Sequence, residues 1–451
     1  MDTIVAVATP PGRSAIGMIR MSGPGSLQIL RALVRDPQFN PAPNQIILKQ
    51  IFLAGSEELL DSSLVSFFKS PHSFTGEDMV EISCHGSPVV LRQLLDEIQQ
   101  LDARLAGPGE FTLRACKNGK LNLSQAEAIR DLINARTSAA AQQAARQLRG
   151  ELSKSLQRSK DELISAIVRL ESALEFVEDD LPQLRNNEVV DQVSATLAGI
   201  RELSRTFATG HLLREGIKVA LVGRPNVGKS SVFNKLLRFD RAIVTDLPGT
   251  TRDSLVEQIS LQGIPVSLTD TAGLREAGDR IEALGISRTQ QAIADADLVV
   301  LVVDGSSNLS AEDRTALEEA KRNKHIVAVN KIDLPLALKF ENQLGDESTV
   351  VHLSALTGEG LEELSAAIVK PFADVDSESV GLMITDSRHY DLLRRAESSL
   401  EESLLLLNQN ASEELVLIGL HNALKFLGEI TGETTTEDIL GQIFSTFCIG
   451  K

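Results

Sequence analysis

Residues 223–230 constrain the fold of this chain more strongly than any other part of its sequence. They read GRPNVGKS, follow the apolar run IKVALV and precede a helical pattern. This context is typical of a P-loop, in which glycines let backbone N–H groups surround phosphate oxygens at the start of a helix. We expect Lys229 to contact the β- and γ-phosphates of a nucleotide and Ser230 to bind Mg²⁺. The alternative is a glycine-rich loop with a structural role only.

A second motif, Asp-Thr-Ala-Gly at residues 270–273, ends the apolar run PVSLT that follows the P-loop. The carboxylate of Asp270 is expected near the metal ion, and the backbone N–H of Gly273 near the γ-phosphate. Thr271 and Ala272 are also predicted to contact the nucleotide. Alone this motif is weak, but its position at the end of a strand-like run supports the P-loop assignment.

Two later motifs indicate that the base is guanine. Residues 330–333, Asn-Lys-Ile-Asp, end the run HIVAV. The carboxylate of Asp333 can accept hydrogen bonds from both the ring N–H and the exocyclic amine of guanine, whereas adenine presents no such pair of donors. Residues 354–356, Ser-Ala-Leu, follow the run VVHL, where a loop backbone is expected to contact the guanine oxygen. Four ordered motifs at strand ends therefore favour GTP over ATP.

The pattern of apolar residues predicts several domains. Residues 1–118 alternate apolar runs with Gly and Pro and contain one clear helical segment, which is typical of an α+β domain. Helical patterning covers residues 119–214, gives way to an α/β pattern over 215–377 and returns in 378–451. The simplest organisation is a discontinuous helical domain that carries an inserted Ras-like P-loop domain with a mostly parallel sheet.

Charge restricts the partners of this chain. Its 451 residues include 45 basic and 62 acidic side chains, and the net charge of −17 opposes non-specific attachment to nucleic acid or to an anionic membrane. Residues 103–160 are an exception, with 11 basic and 4 acidic side chains and hence a local charge of +7. Such a segment could face nucleic acid or a protein partner, or it could be a solvated helix face.

Cysteine content and hydropathy indicate the compartment. Cys84, Cys116 and Cys448 are too few and too scattered for a disulfide framework or a zinc site, so a reducing compartment is expected. Neither a signal peptide nor a run of about 18 apolar residues is apparent. We therefore predict a cytoplasmic protein with no membrane span.

Two groups that many GTPases use for hydrolysis, a water-orienting Gln and an arginine finger, are not evident in the sequence. Leu274 stands where many GTPases carry a Gln that orients the attacking water, and its side chain makes no hydrogen bond. Glu282 follows in the same segment and could act on that water, with a solvated helix face as the alternative. None of the nearby arginines has a spacing that requires insertion into the site: Arg224, Arg252 and Arg275. A monovalent cation held by Asn226 could neutralise the developing charge instead.

These motifs, in this order, resemble the translation-factor-like class of small GTPases. By that resemblance, Thr251 within residues 249–253, Gly-Thr-Thr-Arg-Asp, is the switch threonine that binds Mg²⁺ when the γ-phosphate is present. A surface turn is the alternative for this segment alone.

The whole chain resembles the bacterial and organellar tRNA uridine-modification GTPases of the MnmE or TrmE family. The resemblance rests on ordered segments along the chain: DTIVAVATPPGRSAIGMIRMSG, SFTGEDMVEISCHGSPVV, PGEFTLRA, NGKLNLSQAEAIRDLI, LLREG, IVTDLPGTTRD, DTAGLRE and the terminal CIGK. One departure is Cys116, where the family usually carries an aromatic residue.

The family resemblance implies a potassium-dependent GTPase that hydrolyses GTP to GDP and phosphate. With an FAD-dependent flavoprotein of the MnmG or GidA family, it would add a carboxymethylaminomethyl or aminomethyl group at carbon 5 of the wobble uridine in tRNA. The N-terminal domain would dimerise and bind 5-formyl- or 5,10-methylene-tetrahydrofolate as the one-carbon donor. A homodimer that joins the flavoprotein in a heterotetramer or larger complex is expected.

The same resemblance implies roles for individual residues. Glu282 becomes the catalytic residue, and Cys448 is either a functional thiol or a packed residue of the tail. The K⁺ ligands would be Asn226, Thr245, Leu247 and Thr250, and the Mg²⁺ ligands Ser230 and Thr251. The folate-binding residues would be Arg20, Glu77, Lys120 and Lys451. The predicted GTP contacts are Asn226, Val227, Gly228, Lys229, Ser230, Ser231, Thr245, Asp246, Leu247, Pro248, Gly249, Thr250, Thr251, Asp270, Thr271, Ala272, Gly273, Asn330, Lys331, Asp333, Ser354, Ala355 and Leu356.

Two other functions remain open from the sequence. A ribosome-assembly GTPase would be an RNA-binding switch without one-carbon chemistry, but no Gly-x-x-Gly loop or aromatic RNA-binding strand is evident, and the N-terminal domain would then have no role. A folate enzyme merely gated by GTP is the other alternative. Turnover of a tetrahydrofolate by the pure protein would favour it.

Overall fold

The computed structural model describes residues 2–53, 58–175, 182–239, 256–270, 291–337, 348–372, 381–433 and 437–450. The chain divides into two compact units. The first comprises Met1–Arg130, Gln147–Lys160 and His421–Lys451, and the second comprises Asp131–Arg146 and Asp161–Leu420. The domain boundaries drawn from the sequence, after residues 118, 214 and 377, remain predictions.

The first unit contains a six-stranded sheet. Its strands are β1 (Thr3–Val7), β2 (Ile16–Ser22), β3 (Ile46–Phe52), β4 (Leu59–Phe68), β5 (Met79–His85) and β6 (Ala103–Leu105). They lie in the order β3-β4-β5-β2-β1-β6, and every neighbouring pair is antiparallel except β1 and β6. Apolar residues of helices α1 (Ser26–Leu33) and α2 (Pro88–Gln100) share one core with the sheet. With helix α3 (Glu110–Lys117), this confirms the α+β character expected for the N-terminal part.

Helical structure follows, as the periodicity predicts, and the described residues from 123 to 215 form five helices. They are α4 (Leu123–Asn134), α5 (Ser138–Leu148), α6 (Glu151–Glu175), α7 (Pro182–Arg205) and α8 (Phe207–Glu215). The sequence pattern suggests that Ser124 and Glu127 form a capping box, but the reciprocal bonds belong to Asn122 and Gln125. The Gln125 N–H donates to Asn122 Oδ1 over 2.9 Å, and the Asn122 N–H donates to Gln125 Oε1 over 3.1 Å. The N-cap is therefore Asn122, two residues before the predicted Ser124, and the helix begins at Leu123, since Asn is as good an N-cap as Ser.

The second unit contains the mostly parallel sheet. Its strands are β7 (Ile217–Val222), β8 (Val256–Leu261), β9 (Ile264–Asp270), β10 (Leu298–Asp304), β11 (His325–Asn330) and β12 (Thr349–His352). Their order is β12-β11-β10-β7-β9-β8, and only β8 and β9 pair in antiparallel fashion. The helices that accompany it are α9 (Lys229–Phe239), α10 (Ala311–Ala320) and α11 (Leu361–Val369), followed by a short 3₁₀ helix, Lys370–Phe372. This arrangement confirms the predicted Ras-like P-loop fold.

Both faces of this parallel sheet are buried, which explains its continuous apolar runs. In β7, Val219 and Leu221 belong to one hydrophobic core, and Ala220 and Val222 belong to the other. All six apolar residues of β10 are 0% exposed. The sheet is therefore a rigid support for the loops at its edge.

After the second sheet, the part of the chain that the structure describes contains α12 (Ser387–Asn408), α13 (Glu413–Thr431) and α14 (Glu437–Ser445). They confirm that helical structure returns after the P-loop domain. Within the residues that the structure describes, no helix combines the length and the hydropathy needed to cross a membrane.

Arg214 of α8 joins two carboxylates from other helices. Its Nη1 lies 2.6 Å from Asp386 Oδ2, and its Nη2 lies 3.3 Å from Asp131 Oδ1. Asp386 also accepts from the Arg388 N–H, over 2.8 Å, at the start of α12. Burial disfavours the charged form of Asp386, but the charges of His389 and Arg214 outweigh it and lower its pKa. Since β7 begins just after Arg214, this cluster connects the start and the end of the segment that carries the second sheet.

Replacing Arg214 with Ala should destabilise the second unit, because two largely buried carboxylates lose their shared cation. We expect the free energy of unfolding to fall by about 3 kcal/mol, against less than about 0.5 kcal/mol for Ala at the exposed Arg205. Urea unfolding followed by circular dichroism measures both variants.

The pH dependence of this loss follows from the lowered pKa of Asp386. Its contribution to stability is present above the unfolded pKa of about 3.9 and disappears as the pH falls through the lower folded value. Equal stability of the Arg214 and Arg205 variants at pH 7 would contradict the role of the cluster.

Candidate functional site

The P-loop connects β7 to α9 in a conformation that only glycine permits at two positions. A Cβ on Gly223 would lie 2.3 Å from the Val302 carbonyl oxygen, and one on Gly228 would lie 2.2 Å from Asn330 Nδ2. The φ angles of these glycines are 145° and 97°, and Asn226 between them is also left-handed, at 66°. The loop therefore curls closely against its neighbours before the first turn of α9.

Charged and hydroxyl side chains meet at the start of α9. Lys229 is 6% exposed, and its ammonium donates to the Arg224 carbonyl over 2.8 Å, so its charge lies within the loop. The Ser230 hydroxyl donates to Asp270 Oδ2 over 2.9 Å. This contact joins the P-loop to the end of β9, as expected for two residues assigned to the metal side of the nucleotide. A hydroxyl and a carboxylate are oxygen ligands that suit Mg²⁺.

Asn330 links the P-loop to the loop after β12. Its amide is buried, donating from Nδ2 to the Val227 carbonyl over 2.8 Å and accepting at Oδ1 from the Ala355 N–H over 2.9 Å. The sequence assigns Asn330 to the guanine motif without this bridging contact. Three of the four predicted motifs are thus connected through one side chain.

Lys331 lies beside the P-loop in a left-handed conformation, with φ of 69°. Its ammonium donates to the Asn226 carbonyl over 3.0 Å and to Asp304 Oδ2 over 2.7 Å. Burial opposes ionisation of Asp304, but hydrogen bonds from Lys331 and Ser306 outweigh it and lower its pKa. Sequence reasoning missed Asp304, although its position at the end of the run LVVLVV is a usable signal.

The side chain assigned to guanine recognition is exposed and supported from one side. The Ser354 hydroxyl donates to Asp333 Oδ1 over 2.6 Å and accepts from the N–H groups of Leu356 and Thr357. A carboxylate has about four lone-pair positions, so this bond leaves Asp333 able to accept from a base. Leu356 itself is 76% exposed.

Arg224 of the P-loop contacts other elements of the same unit. Its Nη2 donates to Ser307 Oγ over 2.9 Å, and its Nε lies 3.1 Å from Asp313 Oδ2. Asp313 also completes the capping box of α10 with Ser310. These contacts support the inference that Arg224 is not an arginine finger.

Several predicted site residues lie outside the described residues, and their roles stay predictions. They are Thr245, Asp246, Leu247, Pro248, Gly249, Thr250, Thr251, Thr271, Ala272, Gly273, Glu282 and Lys451, together with Arg252, Leu274 and Arg275. Ser231 is described and is exposed in the first turn of α9.

The candidate folate residues that the structure describes, Arg20, Glu77 and Lys120, lie in the first unit, and two of them are much less exposed than charged surface residues. Arg20 and Glu77 keep 16% and 11% of their side-chain surface. Each is paired: Arg20 Nη2 lies 2.7 Å from Glu81 Oε1, and Glu77 Oε2 lies 3.0 Å from Arg114 Nη1. Sequence reasoning missed Glu81 and Arg114, although Glu81 stands directly opposite Arg20 in the pairing of β2 with β5.

Lys120 and the C-terminal tail complete this part of the first unit. Lys120 Nζ donates to the Pro71 carbonyl over 3.0 Å. The Gly450 carbonyl accepts from Arg20 Nη1 over 3.3 Å, so the tail reaches the predicted folate arginine. Cys448 is exposed and is not in a disulfide, and its carbonyl accepts from the Gly109 N–H over 3.4 Å.

Comparison with known proteins covers the full length of the chain. The family model described as "MnmE helical domain" matches residues 123–448, and that described as "GTP-binding protein TrmE N-terminus" matches residues 3–120. The tRNA modification GTPase MnmE of Aquifex aeolicus is 45% identical over 451 residues, with 100% of both chains covered. That of Koribacter versatilis is 42% identical over 453 residues, covering 100% of this chain and 99% of the relative. That of Thermotoga maritima is 41% identical over 455 residues, with 100% of both covered.

Gly228→Ala should weaken GTP binding about tenfold or more, because the new Cβ overlaps Asn330 and the backbone conformation disfavours Ala. Gly199→Ala is the matched control, since a Cβ there meets nothing within 4 Å on α7. Titration with a fluorescent GTP analogue measures both affinities. Binding of Gly228→Ala at the parent affinity would show that the loop does not hold the nucleotide.

Proposed function

Because this chain belongs to the MnmE family of tRNA modification GTPases, we propose that it is a potassium-dependent GTPase that works with a flavoprotein on tRNA. Family membership and GTPase activity are the parts already confirmed. In the proposed reaction GTP is hydrolysed to GDP and phosphate, and a carboxymethylaminomethyl or aminomethyl group is added at carbon 5 of the wobble uridine. The nucleotide-binding part of this proposal rests on the contact of Ser230 with Asp270 and on the contacts of Asn330 with two loops.

The proposed nucleotide site has a phosphate side and a base side. Lys229 and the N-terminus of α9 would bind the phosphates, and Ser230, with Thr251 of the switch, would hold Mg²⁺. On the base side, Asp333 would accept from the two N–H edges of guanine while Ser354 fixes one of its oxygens. Mg²⁺ would neutralise charge between the β- and γ-phosphates when bound.

Hydrolysis is assigned to Glu282 and a potassium ion. Leu274 cannot orient water, and the contacts of Arg224 with Ser307 and Asp313 argue against its acting as a finger. Glu282 would act on the attacking water, directly or through a second water. Asn226 would hold K⁺ with Thr245, Leu247 and Thr250, which supplies positive charge where an arginine finger otherwise would.

The one-carbon donor is proposed to be 5-formyl- or 5,10-methylene-tetrahydrofolate. The mostly buried pairs around Arg20 and Glu77 suit such a ligand, since a guanidinium binds carboxylates and a carboxylate accepts from the amine edge of a pterin. Lys120 and Lys451 would add positive charge. Two aromatic rings, Phe74 and Phe111, lie 5.9 Å from the Arg20 guanidinium.

A homodimer through the N-terminal domain is the proposed oligomeric state. The edge strand β3 exposes Ile46 and Leu48 at 70% and 66%, and Leu48 stands opposite Leu64 of β4, which is 44% exposed. Apolar side chains in a row at a sheet edge are suited to burial against a second copy. Light scattering of the purified protein measures this state.

The proposed partners are tRNA and an FAD-dependent flavoprotein of the MnmG or GidA family, in a heterotetramer or larger assembly in the cytoplasm. Within the basic segment 103–160, Arg149, Lys154 and Arg158 are exposed at the start of α6 and before it. Exposed cations of this kind contact phosphates in RNA complexes.

Asp333→Asn should lose the preference for guanine, because one carboxylate oxygen becomes an amide donor that faces the guanine N–H groups. We expect the ratio of GTP to ATP affinity to fall by about tenfold or more. Competition of GTP and ATP against a fluorescent nucleotide measures the ratio. An unchanged ratio would remove Asp333 from the base site.

Reconstitution tests the complete function. The mixture would contain the purified chain, the flavoprotein from the same organism with its FAD, unmodified tRNA, GTP, 5,10-methylene-tetrahydrofolate as the one-carbon donor and an amine donor, which is glycine for the carboxymethylaminomethyl group or ammonium for the aminomethyl group. Mass spectrometry of nucleosides should then detect modified wobble uridine. A Glu282→Ala variant should bind GTP but form neither phosphate nor modified uridine, while Ala at the exposed Glu362 of α11 should behave like the parent. If Glu282→Ala formed modified uridine at the parent rate, the modification would not depend on GTP hydrolysis by Glu282.

A further inference from the structure

We propose that Glu81 and Arg114 are positioning residues for the tetrahydrofolate ligand, with Glu81 orienting Arg20 and Arg114 orienting Glu77. The inference rests on the proposed folate function and assigns roles to two residues that the sequence motifs leave without one. It follows from two ion pairs in the first unit, one across strands β2 and β5 and the other between helix α3 and the residue Glu77 just before β5.

The first pair is set by strand register. Arg20 of β2 and Glu81 of β5 are directly opposite each other, and Glu81 Oε1 accepts from Arg20 Nε over 2.9 Å and lies 2.7 Å from Nη2. The Nη1 group donates to the Gly450 carbonyl over 3.3 Å. A guanidinium has five N–H groups in one plane, so these contacts fix the plane and leave N–H groups on Nη1 and Nη2 for a ligand carboxylate.

In the second pair, the two carboxylate oxygens of Glu77 are held unequally. Its Oε2 lies 3.0 Å from Arg114 Nη1 and accepts from the Ser22 hydroxyl over 2.8 Å, whereas its Oε1 is 3.4 Å from Arg114. Oε2 is therefore engaged by two donors, and Oε1 keeps more capacity to accept from a pterin N–H.

Arg114 is itself held in place. Its side chain is 9% exposed on α3, its Nη2 donates to Asp2 Oδ1 over 2.7 Å and to Glu110 Oε1 over 3.2 Å, and its Nη1 donates to the Asp2 carbonyl over 2.8 Å. A guanidinium fixed by this many acceptors cannot follow Glu77 if that carboxylate moves. It therefore determines the direction in which Glu77 presents its second oxygen.

The two pairs should act on different halves of the ligand. Arg20 suits the carboxylates of the glutamate tail, and Glu77 suits the amine edge of the pterin. A change at Glu81 should therefore affect binding of the tail, and a change at Arg114 should affect binding of the pterin. A purely structural role of Glu81 would weaken binding of both halves equally, and a purely structural role of Arg114 would lower the unfolding temperature together with binding.

The test measures how tightly two probes bind to the full chain, by direct and displacement calorimetry. The probes are 5-formyl-tetrahydrofolate and 6-methyltetrahydropterin, which lacks the tail. Glu81→Gln should weaken the folate about tenfold and leave the pterin within about twofold. Arg114→Lys, which keeps the charge but not the planar fork, should weaken both probes about tenfold.

An exposed ion pair on α2 supplies matched controls. Arg92 and Asp96 lie 3.3 Å apart with 78% and 49% of their side chains exposed, so Arg92→Lys and Asp96→Asn should leave both probes unaffected. Thermal unfolding and GTP turnover should stay at the parent values in all four variants. If Arg114→Lys fails to fold, Ser22→Ala replaces it, since it removes the other donor to Glu77.

The outcomes separate this inference from the proposed function. A parent chain that binds neither probe would overturn the folate assignment and the positioning roles with it. A parent that binds both, with Glu81→Gln and Arg114→Lys binding equally well, would overturn the positioning roles alone. Equal weakening of both probes by Glu81→Gln, together with a lower unfolding temperature, would also overturn them, because it indicates a structural effect.

Discussion

The buried amide of Asn330 is the contact on which the nucleotide site depends. The strands from β12 to β9 run parallel, so their carboxyl ends, and the loops that follow, emerge at one edge of the sheet. Asn330 sets the distance between two of these loops through its bonds to Val227 and Ala355. Both polar ends of a buried amide are then satisfied, which makes the arrangement specific as well as stable. Lys331 adds a bond to the Asn226 carbonyl next to it.

The first unit uses a different principle, in which ion pairs fix charged side chains that would otherwise be mobile. Arg20 and Glu81 meet because the antiparallel register of β2 and β5 places them opposite each other. Arg114 reaches Glu77 from a helix instead. Paired charges with low exposure are costly to disrupt but leave a defined set of donors and acceptors, which is what recognition of a ligand requires.

The sequence predicts those features that depend on local pattern. The P-loop between a buried strand and a helix is readable because glycine spacing and apolar periodicity are local, and the parallel sheet follows from its continuous apolar runs. Contacts that bridge distant segments of the chain cannot be predicted from local pattern. Nothing in the sequence separates Asn330 as a link between loops from Asn330 as a base contact, and nothing in it pairs Glu81 with Arg20, because both depend on how distant segments meet.

The capping box, which lies two residues from its predicted position, shows the same limit at short range. The capping box lies at Asn122 and Gln125 rather than at Ser124 and Glu127. Both pairs have the required spacing and residue types, and the choice between them depends on where the preceding loop leaves α3. Glu127 is instead 2% exposed within α4.

We propose that a potassium ion completes a GTPase site in which the P-loop arginine, Arg224, is engaged with Ser307 and Asp313 instead. GTP turnover in potassium chloride and in sodium chloride at equal ionic strength tests this most directly. We predict turnover that is at least about tenfold faster in potassium. Equal rates in the two salts would contradict the potassium site and would mean that another residue or partner completes the site.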